Sequence, residues 1–392
     1  MNRFTEASTK ELPTPEDIDT RSGLLNNRKV PGYLLQIFTL FLITRVVLTI
    51  IGVFSRIILG RTTGFRLEWQ HPQALWLDIW GQWDTGWYLD IAHNWYSSAP
   101  RMDQLLNINF FPLYPTLMKG FGIIIGNNFV AGIIISNFCL FGAAVFLHRL
   151  VLLDHDEATA MRSVKYLLIW PTSFVLSGIL SEGLFLFLLI TTFYSARKER
   201  WLQAGILGFL LCLTRPNGIL MFLPLLYLYM QERDFRPKAI RADIFTLMLL
   251  PAGLAVFVIF NYNLTGDPFA FVHSQSAFGR SFANPLMTLF NAFTESMDDF
   301  SAWFIMATIA LLAAGAKKLQ FYYLLLCILF VGIALVTGLL SMPRFTAVLF
   351  PLFILLAQFG KKEEVDQGAT VFLATMQGFL MVFWSTGSYL II

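Results

Sequence analysis

The residue with the strongest chemical promise is Asp84, in the run Gln82-Trp83-Asp84-Thr85-Gly86-Trp87-Tyr88. Trp76, Trp80, Trp95 and Tyr96 flank it, so a carboxylate stands within a belt of aromatic rings. Such belts sit at membrane–water interfaces, and one reading is an interfacial anchor in which Asp84 caps a helix over Thr85 to Asn94. The other is a carboxylate held at the membrane surface as a general base, with aromatic faces shaping a sugar site. The two are compatible, because a cap fixes a side chain where it can act. At helical spacing Asp84, Trp87, Tyr88 and Ile91 share a face while Asp90 and His93 point elsewhere. Asp84 is therefore the catalytic candidate, ahead of Asp90.

Four further runs combine polar chemistry with interruptions of apolar sequence. Phe110-Phe111-Pro112-Leu113-Tyr114-Pro115 reads as a rigid start to an interfacial helix, since neither proline donates a backbone N–H, or as the lining of a slot for a lipid chain. Ser177 to Glu182 puts a carboxylate and two hydroxyls at the mouth of a helical bundle, as a substrate contact, a structural pair or an exposed turn. Thr214-Arg215-Pro216-Asn217-Gly218 carries a turn signal beside an arginine, and Ser341-Met342-Pro343-Arg344-Phe345 carries another arginine beside a proline. Together with Arg280, the arginines Arg215 and Arg344 offer the planar donor forks that suit phosphate oxygens, as in a phospholipid-type leaving group.

Other titratable groups read as structural. Arg45 falls near the middle of the first apolar run, where it is expected to face inward and pair with a carboxylate. His93 and His273 stand alone, with no zinc-like spacing, and Asp298-Asp299 fits a helix cap better than a divalent-ion site. No metal or other cofactor is expected. Cys139, Cys212 and Cys327 lie inside apolar runs and read as buried thiols rather than a disulfide framework.

The elements that position these residues are membrane spans. The 392-residue chain is 56% apolar, 16% aromatic and 14% charged, and runs near twenty apolar residues recur along it. Backbone groups inside a bilayer must bond internally, so the expected fold is an all-α polytopic bundle. Residues 1–31 mix both charges with prolines and read as a solvated, disordered tail, and 32–392 as one transmembrane domain. About eleven spans are expected, at 33–58, 129–150, 164–180, 183–196, 201–214, 218–231, 242–264, 299–315, 319–340, 345–359 and 370–390. Residues 107–126 are assigned to the interface, because Arg149/Arg162/Lys165, Arg197/Lys198/Arg200, Arg233/Arg236/Lys238/Arg241, Lys317/Lys318 and Lys361/Lys362 then all lie on the cytoplasmic side with the N-terminus. The outer face collects the long loops 59–128 and 265–298, and with them Asp84, Glu182, Arg215, Arg280 and Arg344. Arg215, Arg280 and Arg344 run against the positive-inside rule there. No long basic cluster with interleaved aromatics is present, which excludes a nucleic-acid footprint, and no internal repeat supports an inverted-repeat transporter.

In this order the motifs around Asp84, Phe110 to Pro115, Ser177 to Glu182, Thr214 to Gly218 and Met342 to Phe345 resemble the GPI mannosyltransferase II (PIG-V) family of GT-C glycosyltransferases, over residues 33–360. The resemblance implies a polyprenyl- or dolichyl-phosphate sugar donor, a glycan, lipid or protein acceptor, and inversion at the anomeric carbon. It makes Asp84 the catalytic base and implies substrate contacts at Gln82, Trp83, Trp87, Tyr88, Tyr114, Glu182, Arg215, Asn217, Arg280 and Arg344. Gln82 departs from the basic residue expected at its position in many relatives. The competing function is a transporter or flippase of lipid-linked glycans. The compartment expected is a bacterial inner membrane, or the endoplasmic reticulum membrane in a eukaryote.

Overall fold

The computed structural model describes residues 31–61, 74–99, 106–278, 280, 282–294 and 300–388. Among them every regular element is a helix and none is a strand. In chain order the α-helices are α1 (Gly32–Leu59), α2 (Leu75–Asp78), α3 (Thr85–Asn94), α4 (Leu113–Ile125), α5 (Asn128–Val151) and α6 (Glu157–Leu168). Then come α7 (Glu182–Arg197), α8 (Trp201–Thr214), α9 (Phe222–Gln231), α10 (Leu249–Thr265), α11 (Ala270–His273) and α12 (Pro285–Thr294). The last are α13 (Phe300–Gly315), α14 (Phe321–Thr337), α15 (Met342–Thr346), α16 (Phe350–Phe359) and α17 (Glu363–Thr386).

Five helices are long and apolar enough to cross a membrane by length and composition: Gly32–Leu59, Asn128–Val151, Ala242–Thr265, Phe300–Lys318 and Glu363–Thr386. They match five of the eleven expected spans. The 28 residues of α1 extend about 42 Å at 1.5 Å per residue. Leu113–Ile125, Trp201–Thr214, Phe321–Thr337 and Phe350–Phe359 are apolar but shorter. The 13 residues of α4 reach about 20 Å.

Four expected spans are not continuous α-helices, and one of them, 242–264, opens as a 3-10 stretch over Ala242–Met248 before α10. The segment 164–180 breaks after Leu168, because Pro171 has no N–H to donate, and continues as a 3-10 turn over Ser173–Leu176. The segment 218–231 begins inside a 3-10 stretch, Pro216–Met221, before α9, and the expected 345–359 span is split into α15 and α16. A helix broken inside an apolar bundle leaves carbonyls without helical partners, and side chains supply them here. Gln377 of α17 donates to the carbonyls of Leu168 and Trp170 at 2.8 and 3.1 Å. Arg45 of α1 donates to the carbonyls of Leu168 and Ser173 at 2.9 and 3.1 Å, and to the hydroxyls of Ser173 and Ser177 at 2.9 and 3.0 Å. The carboxylate expected for Arg45 is therefore not its partner: carbonyls and hydroxyls of the segment around the Pro171 break accept its hydrogen bonds.

The core holds the broken segment at its centre. Phe174, Leu176, Ile179 and Leu180 are fully buried, as are Phe185 and Phe193 of α7 and Phe350 and Phe353 of α16. Gly183 lets α7 approach its neighbours, since a Cβ there would meet the Leu176 carbonyl at 2.5 Å and the Ser136 carbonyl at 3.1 Å. The three cysteines are buried and free.

Candidate active site

Asp84 and Glu182 are brought together by a set of hydrogen bonds between the stretch leading into α3 and the segment before α7. The Ile179 amide donates to the Trp80 carbonyl at 3.1 Å, and the Thr85 hydroxyl donates to the Ile179 carbonyl at 3.2 Å. The Tyr88 hydroxyl donates to Ser181 Oγ at 2.8 Å. On the far side the Trp384 indole donates to the Ile79 carbonyl at 3.0 Å, and Arg56 forms a buried ion pair with Asp78. The loop carrying Asp84 is thereby tied to α1, α7 and α17.

Arg344 arrives from the other end of the chain. Thr172 beside the Pro171 break donates to the Pro343 carbonyl at 2.6 Å, and the Trp170 indole donates to the Thr346 hydroxyl at 3.3 Å, so the break that disrupts one helix also seats α15. Arg344 Nε and Nη2 donate to Glu182 Oε1 at 2.9 and 2.6 Å. The same Nη2 forms an ion pair with Asp84 Oδ2 at 2.7 Å. Arg215 Nη1 lies 2.8 Å from Glu182 Oε1 and 3.3 Å from Ser181 Oγ. Arg215 and Arg280 both lie over the Phe345 ring, 5.6 and 5.2 Å from its centroid, and Arg280 donates to the Leu340 carbonyl at 3.0 Å. Three guanidiniums and two carboxylates from five distant stretches of sequence therefore form one cluster.

The charges bias one another as this packing requires. Burial alone raises the Glu182 carboxyl, but Arg215 and Arg344 more than offset that and lower it to about 2. Burial disfavours the Arg344 charge, and the carboxylates of Asp84 and Glu182 reverse the effect and raise it above the ordinary arginine value. Arg280 is lowered to about 10, by burial first and then by repulsion from Arg215 and Arg344, with Asp84 acting in the other direction. This cluster sets three guanidiniums against two carboxylates, an excess of positive charge that can receive a phosphate.

Asp84 stands at the first position before α3, as expected, but its side chain makes no cap hydrogen bond. Arg344 takes the carboxylate instead, and the expectation of a capping role is corrected accordingly. Two strained positions adjoin the candidate side chains: Trp83, with φ 55°, precedes Asp84, and Ser341, with φ 66°, opens the turn that carries Arg344.

The remaining candidates divide. Tyr88 lies at the site through Ser181, and Trp87 stacks on Phe110 with centroids 5.4 Å apart. Tyr114 is held behind Tyr88, fully buried, its hydroxyl engaged with Ser136 Oγ at 2.7 Å and the Gly132 carbonyl at 3.1 Å. Gln82 is buried and directs its amide to the Ser385 carbonyl at 3.4 Å, which also accepts from Arg56 at 2.8 Å. Asn217 is half-buried in its turn and makes no side-chain hydrogen bond among the described residues. Phe111 packs against Phe257 of α10 and Phe271 of α11. Asp90 accepts from Asn94 at 2.8 Å and Asn107 at 3.0 Å, a local brace. His93 is exposed, and His273 pairs with Asp267 at 2.7 Å on the surface. Asp298 and Asp299 lie outside the described residues, and among those described no group of three or more His, Cys, Asp or Glu is placed to hold a metal ion. Phe345 was not singled out by residue type, although it lies inside a motif that was.

No protein-family model and no curated protein sequence matches the chain. Among solved structures the chain is similar to an oligosaccharyltransferase of Archaeoglobus fulgidus. The complex with zinc and sulfate matches with a TM-score of 0.44 at 15% identity, covering 88% of this chain and 53% of that one. The apo form matches at 0.43 and 13%, covering 89% and 56%. The archaeal enzyme AglB in complex with an inhibitory peptide and a dolichol-phosphate matches at 0.41 and 12%, again covering 89% and 56%. The chain spans about half the length of these structures.

Proposed function

We propose that the protein is an inverting glycosyltransferase of the GT-C type that moves a sugar, mannose by the motif resemblance, from a polyprenyl-phosphate donor to an acceptor hydroxyl on the extracytoplasmic side of the membrane. The observation that carries this reading is the Arg344 guanidinium bridging Asp84 and Glu182, with Arg215 and Arg280 beside it across Phe345.

The inventory of protons and charges fits that reaction. Hydrolysis of a sugar ether needs a general acid for a poor leaving group and a second working carboxylate. Glu182 cannot serve as either, since it is 1% exposed and bound to two arginines. A phosphate leaving group needs its charge neutralised rather than a proton delivered, and guanidiniums do this. The acceptor oxygen attacks the anomeric carbon, the bond from that carbon to the phosphate oxygen breaks with its electron pair leaving on phosphate, and the hydroxyl proton passes to Asp84. The Asp84 side chain is 30% exposed, which gives an acceptor room to approach. Attack opposite the phosphate inverts the anomeric centre.

The test is transfer from a radiolabelled polyprenyl-phosphate sugar in proteoliposomes containing the purified protein and an extract of membrane lipids and glycans. Transfer with inverted anomeric configuration is expected. Translocation of the donor across the bilayer without any glycosyl transfer would replace this reading with that of a flippase.

A further inference from the structure

Glu182 binds two guanidiniums through a single oxygen. Its Oε1 accepts from Arg344 Nε, Arg344 Nη2 and Arg215 Nη1, while Oε2 is buried with no hydrogen-bond partner among the described residues. Glu182 is 1% exposed and Arg344 5%, whereas the side chain of Asp84 is 30% exposed. Arg344 Nη2 is thus shared between a carboxylate that is fixed and one that faces open space, while Nε is committed to the fixed one alone.

A bidentate fork can exchange one partner and keep the other, which a point charge cannot do. An anion arriving beside Asp84 competes for Nη2, and a guanidinium released by Asp84 would swing away unless something else held it.

We propose that Glu182 is the positioning residue of this site: it grips Nε of Arg344 so that Nη2 can exchange the Asp84 carboxylate for a phosphate oxygen of the donor, and the exchange frees Asp84 to take the acceptor proton. The inference rests on the phosphate-binding reading above and adds an order to it, with donor first and an active base second. No bond is made or broken in the exchange, and Asp84 leaves it ionised.

Binding of farnesyl phosphate, which carries no sugar, to the full chain in nanodiscs tests the exchange without any transfer. Removing the competitor by Asp84→Asn is expected to tighten binding by about tenfold, equivalent to about 1.4 kcal/mol. Because the fork is buried, that gain is expected to persist at high salt, where a long-range charge effect is screened. In an Arg344→Lys background the net charge is unchanged but the fork is gone, and the gain from Asp84→Asn is expected to fall below about twofold. The same loss of gain is expected in a Glu182→Gln background, and Arg344→Lys decides the matter if that variant does not fold. An equal gain in wild-type and Arg344→Lys backgrounds, or one abolished by salt, overturns the exchange and leaves the phosphate site standing. Failure of the folded wild-type protein to bind farnesyl phosphate overturns the phosphate site and the exchange with it.

Discussion

Arg344 and Asp84 meet through Nη2 and Oδ2 at 2.7 Å, with the second edge of the same guanidinium closed by Glu182. A candidate base is thereby oriented by the group that would also meet the phosphate of a donor. In the proposed reaction the pairing would couple attack by the acceptor to departure of the phosphate.

Phe345 is the platform for two cations, Arg215 and Arg280. Phe345→Leu keeps the apolar volume and removes the ring face, a loss of about 0.5–1 kcal/mol for each cation. The expected outcome is a rise of several-fold in the donor KM with little change in unfolding temperature. An unchanged donor KM would show that the ring does not order the two arginines.

Ser341 adopts φ 66° at the head of α15, a left-handed conformation that costs a residue with a Cβ about 1 kcal/mol relative to glycine. Ser341→Gly is expected to raise the unfolding temperature by a few degrees, and Ser341→Val to lower it. Thermal melts of the two variants in detergent check the sign. A fall for glycine would mean that the serine side chain contributes more than its backbone costs.

The pH dependence of stability follows from Glu182, whose carboxyl is lowered from an ordinary 4.5 to about 2. A depressed carboxyl stabilises the fold above its unfolded value, and the contribution fades as pH falls toward the folded value. The unfolding temperature of the wild type should therefore exceed that of Glu182→Gln by a constant margin above about pH 5, and the margin should shrink as pH falls below about 4.5. A margin that stays constant down to about pH 3 would mean that the ionised carboxylate is not what stabilises the fold there.

Much of this arrangement was legible in the sequence. Asp84 stood out by its aromatic surroundings, and α3 begins and ends where the spacing placed it, at Thr85 and Asn94. Arg215, Arg280 and Arg344 stood out as cations on the wrong side of the expected topology, and Glu182 as a carboxylate at a break between apolar runs. Their meeting was not legible, because it depends on the tertiary hydrogen bonds that seat α15 against Thr172 and Trp170. Arg45 shows the same limit from the other side: a cation deep in an apolar run implies a partner, but carbonyls and hydroxyls around a distant proline are invisible to periodicity. Broken spans were misread for a related reason, since an apolar run reads as continuous whether or not Pro171 interrupts its ladder.

The measurement that bears most directly on the central claim is sugar transfer by Asp84→Asn in proteoliposomes with a radiolabelled polyprenyl-phosphate sugar. The substitution keeps the shape and removes the proton acceptor, so transfer is expected to fall by about 10³-fold or more while expression is retained and farnesyl phosphate binding tightens by about tenfold. Wild-type transfer by Asp84→Asn would contradict the account and remove Asp84 from the chemistry.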